Sequence, residues 1–355
     1  MRAWEKNFRQ VKPYTPGEQP KSTRVIKLNT NENPYPPSPA AAEVLRSMDP
    51  ALFRKYPDPD AVLLRDAIAE YYGISRDRVF AGVGSDDVLG MAFLTFFNGS
   101  LPVLFPNITY SFYDVWAELF QIPYETQPLD DAFRIVPGDY KKPNGGIVIA
   151  NPNAPTGIQL PMDALEEIVK ANQESVVIVD EAYVDFGAES ALPLTEKYEN
   201  LLVVQTFSKS RAFAGVRIGF AMGHPSLIAA LNCVKNSYNS YTLSTPTILL
   251  GAAVIRDRAY FEETRAKVIA TRERVKSVLS ELGFTFGDSK TNFIFAKHPN
   301  LDAAEVFQEL REEGIFVRYF PKERIKDYLR ITIGRREEME TLIASLEKKV
   351  QAKSC

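Results

Sequence analysis

The stretch Thr206–Phe220, TFSKSRAFAGVRIGF, decides the fold of this chain. It follows Leu201–Val204, an apolar run whose length and β-branched content predict a buried strand. Lys209 therefore lies just past the carboxyl end of a strand, and Arg217 follows in the same loop. Open α/β sheets bind ligands at that end of their strands, where a desolvated amine can attack a carbonyl. A lysine in a loop is more often a solvated charge, so a functional role for Lys209 needs support from the rest of the chain.

Strand and helix patterns alternate on both sides of this stretch. Strands are predicted at 78–82, 102–105, 124–128, 146–150 and 175–179, and helices at 61–72, 84–97, 110–120 and 162–171. This alternation predicts an α/β fold with a mostly parallel sheet between two layers of helices. After about residue 245 one long helical region, 247–282, leads to short strands and two more helices, which indicates a smaller α+β domain. We therefore expect a large domain at 46–255, an N-terminal arm at 1–45 and a small C-terminal domain at 256–355.

Composition excludes several classes of protein. The chain has 355 residues, 45% of them hydrophobic and 25% charged, with a net charge of -3 spread along it, which is typical of a globular protein and not of a nucleic-acid binder. No signal peptide is recognisable and no apolar run is long enough to span a bilayer, so we expect a cytoplasmic protein without a membrane partner. Two distant cysteines (Cys233, Cys355) and two histidines (His224, His298) indicate neither a disulfide framework nor a metal site.

Polar residues of a consistent kind follow several predicted strands. Gly84-Ser85-Asp86-Asp87 suits a helix start, with Ser85 as the N-cap, and free amides after a glycine there form a site for a phosphate. Taken alone, this motif is explained better by an ordinary capped helix. Asp180 ends the most apolar strand, where a carboxylate needs a partner such as a protonated heterocyclic nitrogen. An aspartate that caps the next element is an equally good explanation of this residue alone. Tyr183 comes three residues later.

The remaining strand ends complete the description of a ligand. Lys209 supplies an amine, Arg217 a fixed cation for an anion, and Tyr110 an aromatic ring on which a flat ligand can stack. Together with Asp180 they suit a flat, protonatable aromatic ring that carries a phosphate and a carbonyl. Pyridoxal 5'-phosphate is such a molecule, and a lysine Schiff base with an aspartate on the pyridinium nitrogen is its usual protein environment.

With these motifs in family order, the sequence resembles the fold-type I pyridoxal-phosphate-dependent aminotransferases of class I/II, most closely their histidinol-phosphate aminotransferase branch. The resemblance covers nearly the whole chain and rests on seven motifs: residues 28–34, 54–57, 84–87, 151–157, 180–183, 206–220 and 329–334. It implies a large domain with a mostly parallel seven-stranded sheet, a smaller α+β domain, and a homodimer whose subunits share their active sites.

The resemblance also implies a role for each matching residue. Lys209 would bind the cofactor covalently and move the substrate's proton, Asp180 would pair with the pyridinium nitrogen, and Tyr183 would bond the ring's phenolic oxygen. The other implied cofactor contacts are Tyr110 on the ring face, Ser85, Asp86, Ser208 and Arg217 on the phosphate, and Tyr56 reaching the phosphate of the other subunit. The implied substrate contacts are Tyr14, Asn33, Arg318 and Arg330.

One position departs from the family pattern. The family usually has an asparagine directly before Pro-Thr-Gly, where its amide bonds the ring's phenolic oxygen, and here that residue is Ala154. Either the preceding Asn153 takes this role or Tyr183 bonds the oxygen alone. The second case would change the pKa of the lysine-bound cofactor, because that bond stabilises an ionised phenolate.

The resemblance implies transamination between L-histidinol phosphate and 2-oxoglutarate, which gives imidazole-acetol phosphate and glutamate in histidine biosynthesis. An aromatic-amino-acid aminotransferase would use the same residues, and a lyase similar to threonine-phosphate decarboxylase would share the scaffold. A catalytically silent cofactor-binding protein is disfavoured by the presence of both Lys209 and Asp180. The residues alone do not rank these substrates.

Overall fold

The computed structural model describes residues 2–21 and 25–353, so Cys355 lies outside the described residues. The strands are β1 (Ile26–Lys27), β2 (Val79–Gly82), β3 (Val103–Pro106), β4 (Tyr124–Gln127), β5 (Gly146–Ala150), β6 (Val177–Asp180), β7 (Leu201–Thr206), β8 (Gly219–Gly223), β9 (Thr285–Phe286), β10 (Phe293–Lys297), β11 (Ile315–Phe316), β12 (Arg318–Tyr319) and β13 (Leu329–Thr332). The α-helices are α1 (Pro39–Ser47), α2 (Val62–Tyr72), α3 (Gly84–Phe96), α4 (Tyr113–Phe120), α5 (Met162–Ala171), α6 (Pro225–Tyr238), α7 (Thr245–Arg256), α8 (Arg258–Glu281), α9 (Ala303–Glu312) and α10 (Arg336–Lys353). Short 3-10 helices span Ala3–Asn7, Pro50–Arg54, Arg76–Arg78, Pro137–Tyr140, Val184–Phe186 and Leu192–Glu196.

The predicted mostly parallel sheet is confirmed. Within the part of the chain that the structure describes, it has seven strands in the order β2-β8-β7-β6-β5-β3-β4. Strands β3 to β7 run parallel to one another, whereas β8 is antiparallel to both β2 and β7. Because the parallel strands end at the same edge, the loops that follow them converge on one region.

The parallel strands are buried on both faces. In β7, Leu201 and Val203 pack into the apolar core on one face of the sheet, and Leu202 and Val204 into the core on the other face. Strands β5 and β6 are likewise fully buried. Burial on both faces explains why these strands are continuous apolar runs in the sequence, without the alternation of a half-exposed strand.

A second sheet of four strands, β12-β13-β10-β9, belongs to the C-terminal part of the described chain. Its core includes residues of α8, α9 and α10 together with Leu28. Strand β1 pairs in parallel with β11, so the N-terminal arm is attached to this C-terminal part. The arm thereby reaches the region next to the carboxyl ends of the large sheet.

Three local predictions were wrong. Ser85 does not cap α3, because the helix already begins at Gly84, and Asp87 instead accepts a hydrogen bond from the Val83 amide at 2.9 Å. The predicted helical region 247–282 is two helices separated at Asp257. The Asp257 carboxylate caps the start of the second helix by accepting a hydrogen bond from the Tyr260 amide at 3.2 Å. Helix α4 begins at Tyr113, three residues later than predicted.

No helix in the described ranges has the length and apolar character needed to cross a bilayer.

Candidate active site

The loops at the carboxyl ends of the large sheet line a cavity of about 560 Å³, a volume that includes the solvent at its open mouth. It is lined by Ser85, Asp86, Tyr110, Ala150, Pro152, Ala154, Asp180, Ala182, Tyr183, Ser208, Lys209 and Arg217. Most of the cofactor contacts predicted from the sequence are therefore brought together around a single space. These residues come from the ends of five strands, β2, β3, β5, β6 and β7, and from the loops and the helix that follow them.

Asp180 is the last residue of β6 and is 5% exposed. Its Oδ2 accepts a hydrogen bond from the Tyr113 hydroxyl at 2.7 Å, and its Oδ1 accepts from the Ala182 amide at 3.2 Å. Burial raises the pKa of Asp180 to about 6, with the charge of Asp86 adding to the rise, while Tyr113, Ala182 and Lys209 oppose it. A cationic N–H group in the cavity would stabilise this carboxylate.

Tyr113 is a functional candidate that sequence reasoning missed. Its side chain is fully buried at the first turn of α4, and its hydroxyl fixes the orientation of the Asp180 carboxylate. The available signal was its spacing of three residues from Tyr110, which predicts that both rings face the same side of a helical turn. The two rings do meet edge to face, with their centroids 5.7 Å apart.

One end of the cavity suits an anion. Arg217 adopts a left-handed backbone conformation (φ 60°), which is strained for a residue other than glycine. Its guanidinium lies 3.4 Å from the Ser208 hydroxyl and 3.4 Å from an Asp86 oxygen. The N-terminus of α3 adds free amides, and a Cβ on Gly219 would lie 2.3 Å from the backbone of Gly84, so only glycine allows this close approach.

The ring of Tyr110 forms another wall of the cavity. Its hydroxyl donates to the other Asp86 oxygen at 2.8 Å, so the Asp86 carboxylate joins the tyrosine to Arg217. Burial, together with the charge of Asp86 and this hydrogen bond, raises the pKa of Tyr110 well above its ordinary value. Tyr110 therefore stays neutral and fixed in orientation at physiological pH.

Lys209 points into the same space. Its Nζ donates to the Thr30 carbonyl at 3.2 Å and lies 5.8 Å from the centroid of the Tyr183 ring. The loop that carries it is held by Asn33, whose amide donates to the carbonyls of Lys209 and Ser210, each at 3.0 Å. Asn33 thus holds the backbone of this loop, and a contact between Asn33 and the substrate stays a prediction.

A second cavity of about 610 Å³ adjoins the first and shares Tyr110, Ala154, Tyr183 and Lys209 with it. The predicted substrate contacts Tyr14, Arg318 and Arg330 line it, together with Asn29, Thr30, Asn31 and other residues. Tyr14 stacks on Phe112 with ring centroids 4.3 Å apart, which fixes the arm against this cavity.

The two arginines give the second cavity a positive charge. Arg330 donates to the Asn29 carbonyl at 3.0 Å, while its buried Nε has no hydrogen-bond partner in the described structure. Burial, and to a lesser degree the charge of Arg318, lowers the pKa of Arg330, although its guanidinium stays protonated. Arg318 donates to the carbonyls of Thr15 and Pro16 in the arm, at 3.3 and 3.4 Å. An anion bound in this cavity would balance the charges of both guanidinium groups and could accept a hydrogen bond from the free Nε of Arg330.

Two predicted cofactor contacts lie elsewhere in the structure. The Asn153 amide donates to the Ile108 carbonyl at 2.9 Å and to the Thr156 hydroxyl at 3.0 Å, so it is already occupied, and Ala154 lines the cavity instead. Tyr56 is 81% exposed and stacks on Tyr241, with centroids 4.7 Å apart, outside both cavities of its own chain. Their roles toward a cofactor stay predictions.

Glu181, next to Asp180 in sequence, lies on the far side of β6 from the cavity. Its carboxylate accepts hydrogen bonds from the Ala191 amide at 2.5 Å, the Ser190 hydroxyl at 2.7 Å and the Gln205 amide at 2.8 Å. The Tyr72 hydroxyl in turn donates to Gln205 at 2.5 Å. Burial, despite these bonds, raises the pKa of Glu181 to about 7 from its ordinary 4.5.

Replacing Glu181 with glutamine is expected to reduce the pH dependence of stability in the cofactor-free protein. Between about pH 4.5 and 7 the folded wild type binds a proton at Glu181 that the unfolded chain releases, so this group makes stability fall as pH rises through that window. The lost stability is roughly 3 kcal/mol at most, and glutamine does not titrate. Urea unfolding of both proteins from pH 5 to 8 measures the difference. Parallel curves would contradict the assignment.

The fold and the site define the architecture of fold-type I aminotransferases. The family model for aminotransferases of class I and II matches residues 23–346, and the chain belongs to this family. Among curated relatives, it is 50% identical over 351 residues to the histidinol-phosphate aminotransferase of Lactococcus lactis subsp. cremoris (strain SK11), covering 99% of each chain. It is 51% identical over 345 residues to that of Pseudomonas putida (strain W619), covering 97% of this chain and 99% of the relative.

Solved structures have the same fold. The histidinol-phosphate aminotransferase of Sinorhizobium meliloti, crystallised with pyridoxal-5'-phosphate, superposes with a TM-score of 0.83 at 24% identity, covering 92% of this chain and 91% of that one. That of Clostridium acetobutylicum gives a TM-score of 0.85 at 19% identity, covering 92% of this chain and 100% of that one. At these identities the similarity establishes the fold alone.

Proposed function

We propose that this protein is a pyridoxal-phosphate-dependent histidinol-phosphate aminotransferase of histidine biosynthesis. It would transfer the amino group of L-histidinol phosphate to 2-oxoglutarate, giving imidazole-acetol phosphate and glutamate. The observation that carries the proposal is the single cavity that Lys209 and Asp180 both face, next to the anion site of Arg217. The substrate is supported by curated relatives of that name at about half identity over nearly the full length.

The residues around the cavity fit pyridoxal phosphate. The buried Asp180 carboxylate, with its raised pKa, calls for a cationic N–H, which a protonated pyridine ring would supply. Tyr110 can cover a ring face, and the start of α3 with Ser85, Asp86, Ser208 and Arg217 can hold a phosphate. When bound, this cofactor supplies an electron sink for carbanion chemistry at the substrate's α-carbon.

The protein's own groups would then carry out separate tasks. The Lys209 amine, on a loop held by Asn33, would take the proton from the substrate's α-carbon and deliver it to the C4′ carbon of the cofactor. Asp180, oriented by Tyr113, would keep the ring nitrogen protonated. Tyr183 would donate its hydroxyl hydrogen to the ring's phenolic oxygen.

The second cavity would bind the substrates. Arg330 and Arg318 would hold the phosphate of histidinol phosphate in one half of the reaction and a carboxylate of 2-oxoglutarate in the other, since both are oxyanions. Tyr14 and the arm, fixed on Phe112, would exclude water from this side.

A screen of amino donors tests the proposed substrate. The protein loaded with pyridoxal phosphate is mixed with histidinol phosphate, phenylalanine, tyrosine or glutamate, and the loss of the lysine-bound cofactor's absorbance is followed. Histidinol phosphate and glutamate should convert the cofactor fastest. Preference for phenylalanine or tyrosine would instead indicate an aromatic-amino-acid aminotransferase, and carbon dioxide release without consumption of a keto acid would indicate a lyase.

We also propose a homodimer with shared active sites, located in the cytoplasm. The support for a dimer is the exposed Tyr56–Tyr241 stack, which lines neither cavity of its own chain, and the exposed apolar side chains nearby in sequence. These are Leu45, Leu52, Phe53 and Tyr238. A second copy covering them would allow Tyr56 to reach the other cavity.

Mixing two inactive variants is expected to restore activity if Tyr56 serves the other subunit. When Lys209→Ala and Tyr56→Ala chains are co-expressed, half the dimers are mixed and each has one intact site, so about a quarter of wild-type activity should return. Lys209→Ala with Arg330→Ala is the matched control, because both residues line one cavity of the same chain and no mixed dimer has an intact site. Recovery in the control alone, or in neither mixture, would count against the proposal.

For the domains we propose the division predicted from the sequence, with a large domain at 46–255 and the arm and small domain at 1–45 and 256–355. Supporting it, the seven-stranded sheet lies within residues 79–223 and the four-stranded sheet within 285–332. We move only the first boundary of this division: helix α1 (Pro39–Ser47) crosses residue 45 and its Ala41 packs in the core of the large sheet, so the large domain would begin at Pro39.

A further inference from the structure

The hydroxyl of Tyr183 has one protein partner in the described structure. The Asn31 side-chain amide donates to it at 2.8 Å. A phenol has one hydrogen to donate, and accepting a bond leaves that hydrogen free. Tyr183 lines both cavities, so its free hydrogen faces the space where a ligand would bind.

Asn31 is held rigidly in this position. It is 1% exposed and adopts a left-handed backbone conformation (φ 56°), which asparagine tolerates better than most residues. Its backbone amide donates to the Thr332 hydroxyl at 3.1 Å, and its backbone carbonyl accepts from the Asn292 amide at 3.0 Å. This loop therefore belongs to the framework of the site and not to its mobile surface.

The orientation of the Asn31 amide is fixed by Thr332. The Thr332 hydroxyl accepts from the Asn31 backbone amide and donates its one hydrogen to Asn31 Oδ1 at 3.0 Å. The carboxamide oxygen thus faces Thr332 and its NH₂ group faces Tyr183. Thr332 lies at the end of β13. A residue of the small sheet therefore sets the amide orientation that leaves the one hydroxyl hydrogen of Tyr183 free for the cavity.

Among the described residues that line the first cavity, none carries a side-chain amide. The loop after β5 presents the methyl group of Ala154 to both cavities, and the neighbouring Asn153 amide is bonded to Ile108 and Thr156. Tyr183 is therefore the donor available on this side of the cavity, and Asn31 controls it.

We propose that Asn31 is a positioning residue that makes Tyr183 a hydrogen-bond donor to the phenolic oxygen of the cofactor. This inference rests on the proposed function. The bond from Asn31 removes Tyr183's alternative of donating to the protein and polarises its O–H group, since hydrogen bonds in a chain strengthen one another. A stronger donor stabilises an ionised ring oxygen and lowers its affinity for protons.

Two variants at position 31 test the role. Asn31→Gly keeps the left-handed backbone and its hydrogen bonds but removes the amide. It should weaken binding of pyridoxal phosphate to the full-length protein about tenfold, which corresponds to one lost hydrogen bond. The pH midpoint of the bound cofactor's absorbance change should rise, because the ring oxygen loses part of its stabilisation. Asn31→Asp, whose carboxylate takes the Tyr183 hydrogen for itself, should weaken binding at least as much.

The Tyr183→Phe background separates positioning from general loosening of the loop. There, Asn31→Gly should change cofactor affinity and the pH midpoint by less than about twofold and a few tenths of a pH unit, because the hydroxyl on which it acts is gone. An equal effect in both backgrounds, or wild-type affinity in Asn31→Gly or Asn31→Asp, would overturn the inference. A wild type that binds no pyridoxal phosphate would instead overturn the proposed function.

Discussion

Replacing Lys209 with alanine is expected to lower kcat by roughly 10⁴-fold or more, because one amine would both bind the cofactor covalently and move the substrate's proton. No other lysine lines the two cavities of the described structure, so no neighbour can take over. Steady-state assays with histidinol phosphate and 2-oxoglutarate measure the loss. Pyridoxal phosphate should still bind noncovalently, because Arg217, Ser208 and the start of α3 are unchanged.

Lys27→Ala is the matched control for this variant. Lys27 Nζ donates to the Thr30 hydroxyl at 3.0 Å, whereas Lys209 Nζ donates to the Thr30 carbonyl, so both amines contact the same loop residue. Lys27 is half-buried and its amine also pairs with the Glu32 carboxylate, but it lines neither cavity, so Lys27→Ala should retain activity within about threefold of wild type. Sustained multiple turnover by Lys209→Ala would refute the role of Lys209, and equal losses in both variants would indicate damage to the loop.

The sequence predicts the site best where a functional residue directly follows a buried strand. Asp180 and Lys209 directly follow apolar strands, and the strands of a parallel sheet end at one edge, so their proximity follows from local pattern alone. The antiparallel direction of β8 was not predicted, because a short apolar run is the same in either direction. The break at Asp257 was missed because helical periodicity continues on both sides of it.

The sequence does not identify the residues that orient another side chain of the site. Tyr113 contacts Asp180 across 67 residues of sequence, and Asn31 contacts Tyr183 across 152. In the sequence Tyr113 is one more aromatic residue of an apolar helix, and Asn31 one more polar residue of a turn. The role of Tyr113 depends on how α4 packs on the large sheet, and that of Asn31 on how the arm and the small sheet meet the large one, and periodicity encodes neither.

The matched pair Asp180→Asn and Glu181→Gln separates the chemistry of the site from the burial of charge. Each variant replaces a buried carboxyl with a raised pKa by its amide, but only Asp180 lines the cavity. Asp180→Asn should lower kcat by roughly 10²-fold to 10³-fold, since an amide cannot hold a pyridinium proton by charge. Stability without cofactor should be unchanged or higher, because desolvation of the carboxylate is relieved.

Tyr113→Phe is expected to have an effect on kcat between those of Glu181→Gln and Asp180→Asn, because it changes the environment of the Asp180 carboxylate and not the carboxylate itself. It leaves the Asp180 carboxylate in place but removes the hydroxyl bonded to Oδ2 at 2.7 Å, so the pKa of Asp180 should rise further. We expect kcat to fall by about tenfold, and the acid limb of the pH profile of kcat to move to higher pH. Glu181→Gln should keep kcat within about threefold of wild type, since its carboxyl contacts no part of the cavity. The expected order of kcat is therefore Glu181→Gln, Tyr113→Phe, Asp180→Asn. Near-normal kcat in Asp180→Asn would remove Asp180 from the chemistry, because the amide keeps the shape of the side chain but cannot carry its negative charge.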